Sequence, residues 1–310
     1  MKKIYVSAPF YGEGNQILKQ SGHTIVYGPG DLSTHLKDCH AIISYVHDKI
    51  TDSLLEQAPQ LKVVSNYAVG VDNIDLLSCK KRGIKVGNTP DVLTYATAEL
   101  ALTLMLNCGR QIKHAYTDVQ RGNWKSWLPQ GYLGLGLEDS TVGIIGMGRI
   151  GQSLAKMLSH GFGVNVIYHS RENKNISFAQ HVSLEELLQK SDYVSLHMSS
   201  NEQTQSFINL EKLKMMKSSA YFINTARGDL VVEADLLTAI NEAHIAGAGL
   251  DVTNPEPPTD NLIIKHPKIF LLPHIGSATL KAREKMGIIA AKNALMGLDN
   301  KALIHEVRDV

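Results

Sequence analysis

At about 150 residues per domain, a chain of 310 residues has the length of about two domains, each able to bury its own core. Its 31 Lys and Arg against 30 Asp and Glu leave a net charge of +1, which offers no basic field for a nucleic-acid backbone, so no nucleic-acid partner is expected. A composition 44% hydrophobic and 20% charged excludes disorder and collagen-like repeats, and the longest apolar run, 98–106, is too short to span a bilayer.

The first fifteen residues, MKKIYVSAPFYGEGN, offer too few apolar positions for a signal-peptide core. Short apolar or β-branched runs at 4–6, 41–46, 61–65 and 84–86 alternate with helix-like stretches, a βαβα rhythm that predicts a parallel sheet. The region before Ala41 is short and leaves the first strand–helix unit undefined. Run 98–106 is apolar almost all round, which predicts a helix buried on both sides at a domain or subunit interface and acting as a crossover between domains. The rhythm resumes at 142–145, 164–168, 193–196, 220–224, 247–251 and 269–272, and ten candidate strands imply two sheets rather than one. Ser183 and Glu186 have capping-box spacing, followed by Leu184, Leu187 and Leu188 on one face. A last helix over 280–296 is expected to stop near Gly297, because glycine accepts a left-handed backbone. Its return to the first sheet would make the first domain discontinuous. Cys39, Cys79 and Cys108 are odd in number and lack CxxC spacing, which reads as a reduced, cytoplasmic chain. The thirteen histidines form no HxH or HExxH arrangement, so no metal is predicted.

One apolar run, 142–145, leads straight into Gly146, Met147, Gly148, Arg149, Ile150 and Gly151, a GxGxxG in its strand-to-helix context. Gly146 permits the tight turn, Gly148 lets the backbone approach a pyrophosphate, and Gly151 allows close helix–sheet packing. The alternative is a glycine-rich turn with no ligand. After the next strand, the position where NAD-binding folds carry an acid for the ribose hydroxyl holds His169, followed by Ser170, Arg171 and then Lys174. These groups can hydrogen-bond a 2'-phosphate that a carboxylate would repel, so NADP(H) is favoured, with NAD(H) as the alternative. Glu172 is the counter-indication: a strand one turn longer would make it the ribose acid and Arg171 an ordinary surface charge.

Three later segments each place a reactive residue after an apolar strand: Arg227 in TARGD, Glu256 in DVTNPEPP and His274 in LPHIGS. Arg, Glu and His together suit reduction of a 2-oxo acid. Arg227 can hold the substrate carboxylate or polarise its ketone, protonated His274 can deliver a proton to the oxygen, and Glu256 would stabilise the charged imidazole. Taken singly, an Arg in a turn reads as a surface charge and a His after Pro as a structural residue; their joint position downstream of a phosphate loop favours chemistry. Asp251 reads either as a partner of the nicotinamide carboxamide or as a turn residue.

The stretches 68–75 (AVGVDNID), 88–94 (NTPDVLT), 146–151 (GMGRIG), 224–228 (NTARG), 250–252 (LDV) with 255–257 (PEP), and 273–279 (PHIGSAT) resemble the D-isomer-specific 2-hydroxyacid dehydrogenase family. Within it the chain is similar to the glyoxylate/hydroxypyruvate reductase group, and the resemblance covers nearly its whole length. It implies two Rossmann-like or flavodoxin-like parallel-sheet α/β domains with the active site in the cleft between them. The substrate domain would comprise 1–96 and 280–310, and the dinucleotide-binding domain 97–279. The same resemblance implies Arg227, Glu256 and His274 as the catalytic set, with the backbone at Val69 and Gly70 holding the substrate carboxylate. Thr97, Arg149, Ile150, Thr204, Thr225, Ala226, Arg227, Asp251, His274, Gly276 and Ser277 would contact the coenzyme, and a homodimer through the coenzyme domain is implied. Family members that prefer NAD commonly carry Tyr-Asp where this chain has Tyr168 and His169; formate dehydrogenases of the superfamily carry Gln at the Glu256 position. The expected activity is reduction of glyoxylate or hydroxypyruvate with NADPH. Its rivals are 2-ketogluconate reductase and D-lactate dehydrogenase within the family, and an NAD(P)-sensing binding protein outside catalysis. Tyr45, Tyr67, Trp127 and Tyr132 could line the substrate site or simply pack.

Overall fold

In the computed structural model, which describes residues 1–28, 32–259 and 261–307, the apolar runs form two all-parallel sheets. The first contains β1 (Lys3–Val6), β2 (Thr24–Tyr27), β3 (Ala41–Ser44), β4 (Val63–Asn66) and β5 (Lys85–Gly87), in the order β2-β1-β3-β4-β5. The second contains β6 (Thr141–Ile145), β7 (Asn165–His169), β8 (Gln180–His181), β9 (Tyr193–Leu196), β10 (Tyr221–Asn224), β11 (Gly247–Leu250) and β12 (Ile269–Leu271), in the order β12-β11-β10-β9-β6-β7-β8. Strands β3, β4, β9 and β11 are buried at every position, because crossover helices cover both faces of a parallel sheet. All ten candidate strands are present, and β2 and β8 are additional. Both are edge strands; β2 (TIVY) does carry a short β-branched run that the candidate strands leave out, whereas β8 is two polar residues long.

The chain divides into two compact units, Met1–Leu93 with Ser277–Val310, and Thr94–Gly276. The boundaries lie three residues before 96/97 and 279/280; at the first, the helix Thr94–Gly109 enters the second unit whole. Within this chain that helix is buried on one side only, inside the second unit rather than between domains. Ala98, Ala101, Leu104, Met105 and Cys108 are buried within the second unit's core, beside β10 and β11 and the helix Arg149–Phe162, whereas Tyr95, Glu99 and Thr103 are exposed. A Cβ at Gly249 would come within 3.0 Å of Leu104 Cβ, which shows how closely the helix lies on β11.

The helix Leu280–Leu298 packs on β3 and β4 of the first unit and on the helix Glu13–Gln20, where a Cβ at Gly14 would meet the backbone of Gly287. Gly297 does not end it. Gly297 is buried in the last turn, where a Cβ would collide with Val63, and the left-handed residue beyond the helix is Asn300, at φ 57°. Close approach to a strand, not turn geometry, explains that glycine. At Ser183, Oγ accepts the Glu186 amide at 3.1 Å, but the Glu186 carboxylate binds Lys190 instead of closing the capping box. Among the described residues no helix is long and apolar enough to cross a membrane and no group of three or more metal-ligating side chains occurs; the three cysteines are free and buried.

Candidate active site

In the second sheet β9 lies on one side of β6 and β7 on the other, so the chain reverses direction across the sheet at the carboxyl end of β6. Ligands of open α/β sheets bind at such a switch point. Gly146 follows β6 with φ +97°, and a Cβ there would meet the His197 backbone at 2.7 Å; Gly151 would clash with the Gly146 carbonyl at 2.3 Å. By contrast, no atom lies within 4 Å of a Cβ at Gly148, which opens the helix Arg149–Phe162 beside Arg149 and Ile150. Tight glycines that shape the turn, with open space at its tip and a helix N-terminus directly behind it, fit a pyrophosphate. Thr225, just past β10, is buried with no hydrogen-bond partner for its hydroxyl, which also suits a ligand in that place.

His169 ends β7, and its carbonyl accepts the Gly146 amide at 2.9 Å. Its Nδ1 lies 3.2 Å from the Val182 carbonyl, and its ring stacks on His181 at 6.3 Å and 12°. His181 Nε2 in turn lies 3.2 Å from the Ser170 carbonyl. Ser170 Oγ donates to the Glu172 carbonyl, and the Tyr168 hydroxyl fixes the following turn through Asn173 and the Lys174 amide. Arg171 is exposed and makes no ion pair among the described residues, while Glu172 pairs with Lys174 at 3.3 Å. Of the groups expected to face a 2'-phosphate, Lys174 thus makes an exposed pair with Glu172, and Arg171 makes no such pair among the described residues.

Arg227, Glu256 and His274 all lie in loops at the carboxyl ends of consecutive strands β10, β11 and β12 of the second unit. Asn224 shapes the first loop, its Nδ2 donating to the Arg227 carbonyl at 2.8 Å and its Oδ1 accepting the Ala226 amide at 2.9 Å. Gly228 lets this loop touch the next: a Cβ would lie 2.1 Å from the Thr253 backbone. His274 Nδ1 and Glu256 Oε1 are 2.5 Å apart, both side chains about three-quarters buried. Asp251, 1% exposed, accepts the Ile275 and Gly276 amides, one on each oxygen at 2.7 Å, and its backbone carbonyl accepts the His274 amide. Burial raises its pKa despite these bonds. Asp251 therefore caps the turn that presents His274.

Thr97 Oγ1 donates to the Gly276 carbonyl at 3.2 Å, which ties the first turn of its helix to that same loop. The Thr204 hydroxyl donates to the Ser199 carbonyl at 2.9 Å and accepts the Asn201 amide at 2.8 Å, which leaves one acceptor lone pair. Ala226 is half-buried in the Arg227 loop, and Ser277 is half-buried just past the second unit. Val69 and Gly70 follow β4 in the first unit, half-exposed. Tyr45 and Tyr67 pack there with their hydroxyls on the Ala8 and Arg283 carbonyls, Tyr132 bonds Asp118, and Trp127 is exposed. Asn224 and Gly228 lie inside the NTARG motif, but their roles in shaping the loop show only in the structure; His181 had no signal, sitting on an edge strand with no pattern of its own.

A doubly wound sheet with a phosphate loop at its switch point and an imidazole–carboxylate pair at neighbouring strand ends defines a nicotinamide-dependent oxidoreductase. Residues 102–276 match the family described as D-isomer specific 2-hydroxyacid dehydrogenase, NAD binding domain. Glyoxylate reductase of Thermococcus litoralis is 45% identical over 274 residues, 86% of this chain and 82% of the relative. Human glyoxylate reductase/hydroxypyruvate reductase is 41% identical over 285 residues, 90% of this chain and 87% of the relative. The crystal structure of NADPH-dependent glyoxylate/hydroxypyruvate reductase from Sinorhizobium meliloti, in complex with NADP and malonate, superposes with a TM-score of 0.88 at 30% identity, covering 99% of this chain and 96% of that one. The chain belongs to the D-isomer specific 2-hydroxyacid dehydrogenase family and is an NAD(P)-dependent enzyme of that class.

Proposed function

We propose that the enzyme reduces a small 2-oxo acid, glyoxylate or hydroxypyruvate, to the 2-hydroxy acid with NADPH. The observation that carries this reading is the 2.5 Å contact between His274 and Glu256 at the carboxyl end of the dinucleotide-binding sheet. With Nδ1 turned to Glu256, Nε2 is the nitrogen that gives its proton to the substrate oxygen. The Glu256 carboxylate stabilises the imidazolium before transfer and fixes its orientation afterwards. Arg227 presents a planar fork of donors that holds the substrate carboxylate or draws charge onto the ketone oxygen. When bound, the reduced nicotinamide supplies the hydride. Gly146, Gly148, Arg149, Ile150, Gly151 and Thr225 hold the coenzyme, and Val69 and Gly70 take the substrate carboxylate through backbone amides. His169 and Arg171 receive the 2'-phosphate, a reading supported by the pairing of Glu172 with Lys174.

An initial-rate survey of glyoxylate, hydroxypyruvate, pyruvate and 2-ketogluconate with NADPH and NADH tests the proposal. The highest kcat/KM is expected with NADPH and one of the first two acids. A preference for pyruvate or 2-ketogluconate would replace the substrate assignment, and absence of turnover with all four would overturn it.

A further inference from the structure

Three consecutive peptide units after β4 have their carbonyls held by the rest of the first unit. Ala68 O accepts the Thr89 amide at 2.8 Å, Val69 O accepts Asn88 Nδ2 at 2.9 Å, and Gly70 O accepts Asn66 Nδ2 at 2.7 Å. None of these peptides is cis, and in a trans peptide the N–H points opposite to the C=O of the same unit. The three bonds therefore aim the N–H groups of Val69, Gly70 and Val71 away from the groups that grip the carbonyls. Among the described residues none of these amides donates to a protein acceptor, and all three residues are half-exposed. Successive free N–H groups on an accessible loop attract an anion.

The holders are themselves held. Asn66 is fully buried; its Oδ1 accepts Ser44 Oγ at 2.9 Å, and its Nδ2 also reaches Asn73 Oδ1 at 3.0 Å. Asn73 Nδ2 donates to the Tyr45 and Asp48 carbonyls, each at 3.0 Å. Asn88 is anchored through its backbone: its carbonyl accepts Asn293 Nδ2 at 3.1 Å and its amide donates to the His305 carbonyl at 3.2 Å. Asn293, fully buried in the helix Leu280–Leu298, accepts the Ile304 amide at 2.9 Å. Asn66 uses a donor to grip the Gly70 carbonyl and an acceptor to answer Ser44, while Asn88 grips Val69 through its donor. An aspartate would repel the loop carbonyls, and a leucine would leave them unpaired.

We propose that Asn88 and Asn66 are positioning residues that orient the Val69, Gly70 and Val71 amides toward the substrate carboxylate, with Asn293 tying that orientation to the C-terminal helix. The proposal rests on the carboxylate reading of Val69 and Gly70 and extends it to Val71. Oxamate, an unreactive carboxylate analogue, is titrated into the NADPH-saturated wild type, Asn88→Ala and Asn88→Asp, with coenzyme fluorescence as the signal, and the same proteins are assayed with glyoxylate. Asn88→Ala is expected to weaken oxamate about fivefold and raise KM to match, the loss of one hydrogen bond, with kcat and NADPH affinity within about twofold of wild type. Asn88→Asp goes further in the same direction. Should Asn88→Ala fail to fold, Asn88→Ser, whose hydroxyl is too short to reach Val69, replaces it. Unchanged oxamate affinity overturns the proposal, as does an equal loss of oxamate and NADPH affinity, which would mark a packing role. Wild type that binds oxamate without turning over any 2-oxo acid overturns the reductase reading alone; wild type that does not bind oxamate overturns the carboxylate site and this proposal with it.

Discussion

His274 holds φ at 53°, a backbone region that crowds the β-carbon of any residue but glycine, and three bonds hold it there. Its own amide goes to the Asp251 carbonyl, and the next two amides go to the Asp251 carboxylate. That investment in one side chain's direction fits a proton donor. His274→Ala should lower kcat by about 10²- to 10⁴-fold, the range for losing a general acid, while NADPH affinity changes little. Stopped-flow coenzyme binding beside steady-state rates separates the two, and equal losses in both would make His274 structural. A second histidine tests the pH response of the fold. His197 has Nε2 2.8 Å from Ser195 Oγ, and burial pushes its pKa down to about 4. In the unfolded chain it takes a proton near pH 6.5. Between those values the unfolded state binds more protons than the native one, so stability falls as pH drops from 6.5 toward 4, by at most about 3 kcal/mol. Urea unfolding of wild type and His197→Asn at pH 7.5 and 4.5 should show the smaller loss in the variant; identical losses would remove His197 from the acid response.

At the scale of elements, the loop after β10, which carries Arg227, lies against the loop after β11, which carries Glu256. Gly228→Ala forces a Cβ against the Thr253 backbone, so the loops must part. Displacement of catalytic groups by about 1 Å can cost on the order of 10²-fold, and kcat/KM for the 2-oxo acid should fall by about that much, with the circular dichroism spectrum unchanged. A rate within twofold of wild type would show the loops to be independent. In the loop after β7, Arg171→Ala should raise KM for NADPH at least tenfold and leave NADH nearly unaffected; an equal effect on both would move the ribose contact elsewhere. These loops were legible in the sequence because each follows an apolar run, and strands buried on both faces of a parallel sheet leave such runs in any chain. Edge strand β8 leaves none, β2 leaves the run TIVY that was within reach, and Gly297 carries a packing reason that spacing cannot distinguish from a cap. The asparagines behind Val69 and Gly70 were illegible for a related reason. Asn66 and Asn88 reach the loop carbonyls, and Asn293 reaches Asn88, only in the folded unit, and asparagine has no periodicity to betray it.

For the whole molecule the telling feature is apolar surface within the second unit, between residues 112 and 133. Ile112, Tyr116, Trp124, Trp127, Leu128 and Leu133 are all exposed there, Trp127 at 80%. A monomer rarely shows so many large apolar side chains in one segment, and tryptophans are favoured anchors of protein interfaces. A second copy of the chain is the occupant that a homodimer through the coenzyme-binding unit would supply, and a stable interface needs about 800 Å² from each partner, within reach of a segment of this length. Light scattering on the eluting protein should therefore give twice the 34.0 kDa chain mass. Trp127→Glu with Leu128→Glu should shift it toward the single-chain mass while the far-ultraviolet spectrum is retained, since neither side chain is part of a buried core. A wild type that elutes at the single-chain mass at micromolar concentration would refute the dimer, and a double variant that stays dimeric would place the interface on another face.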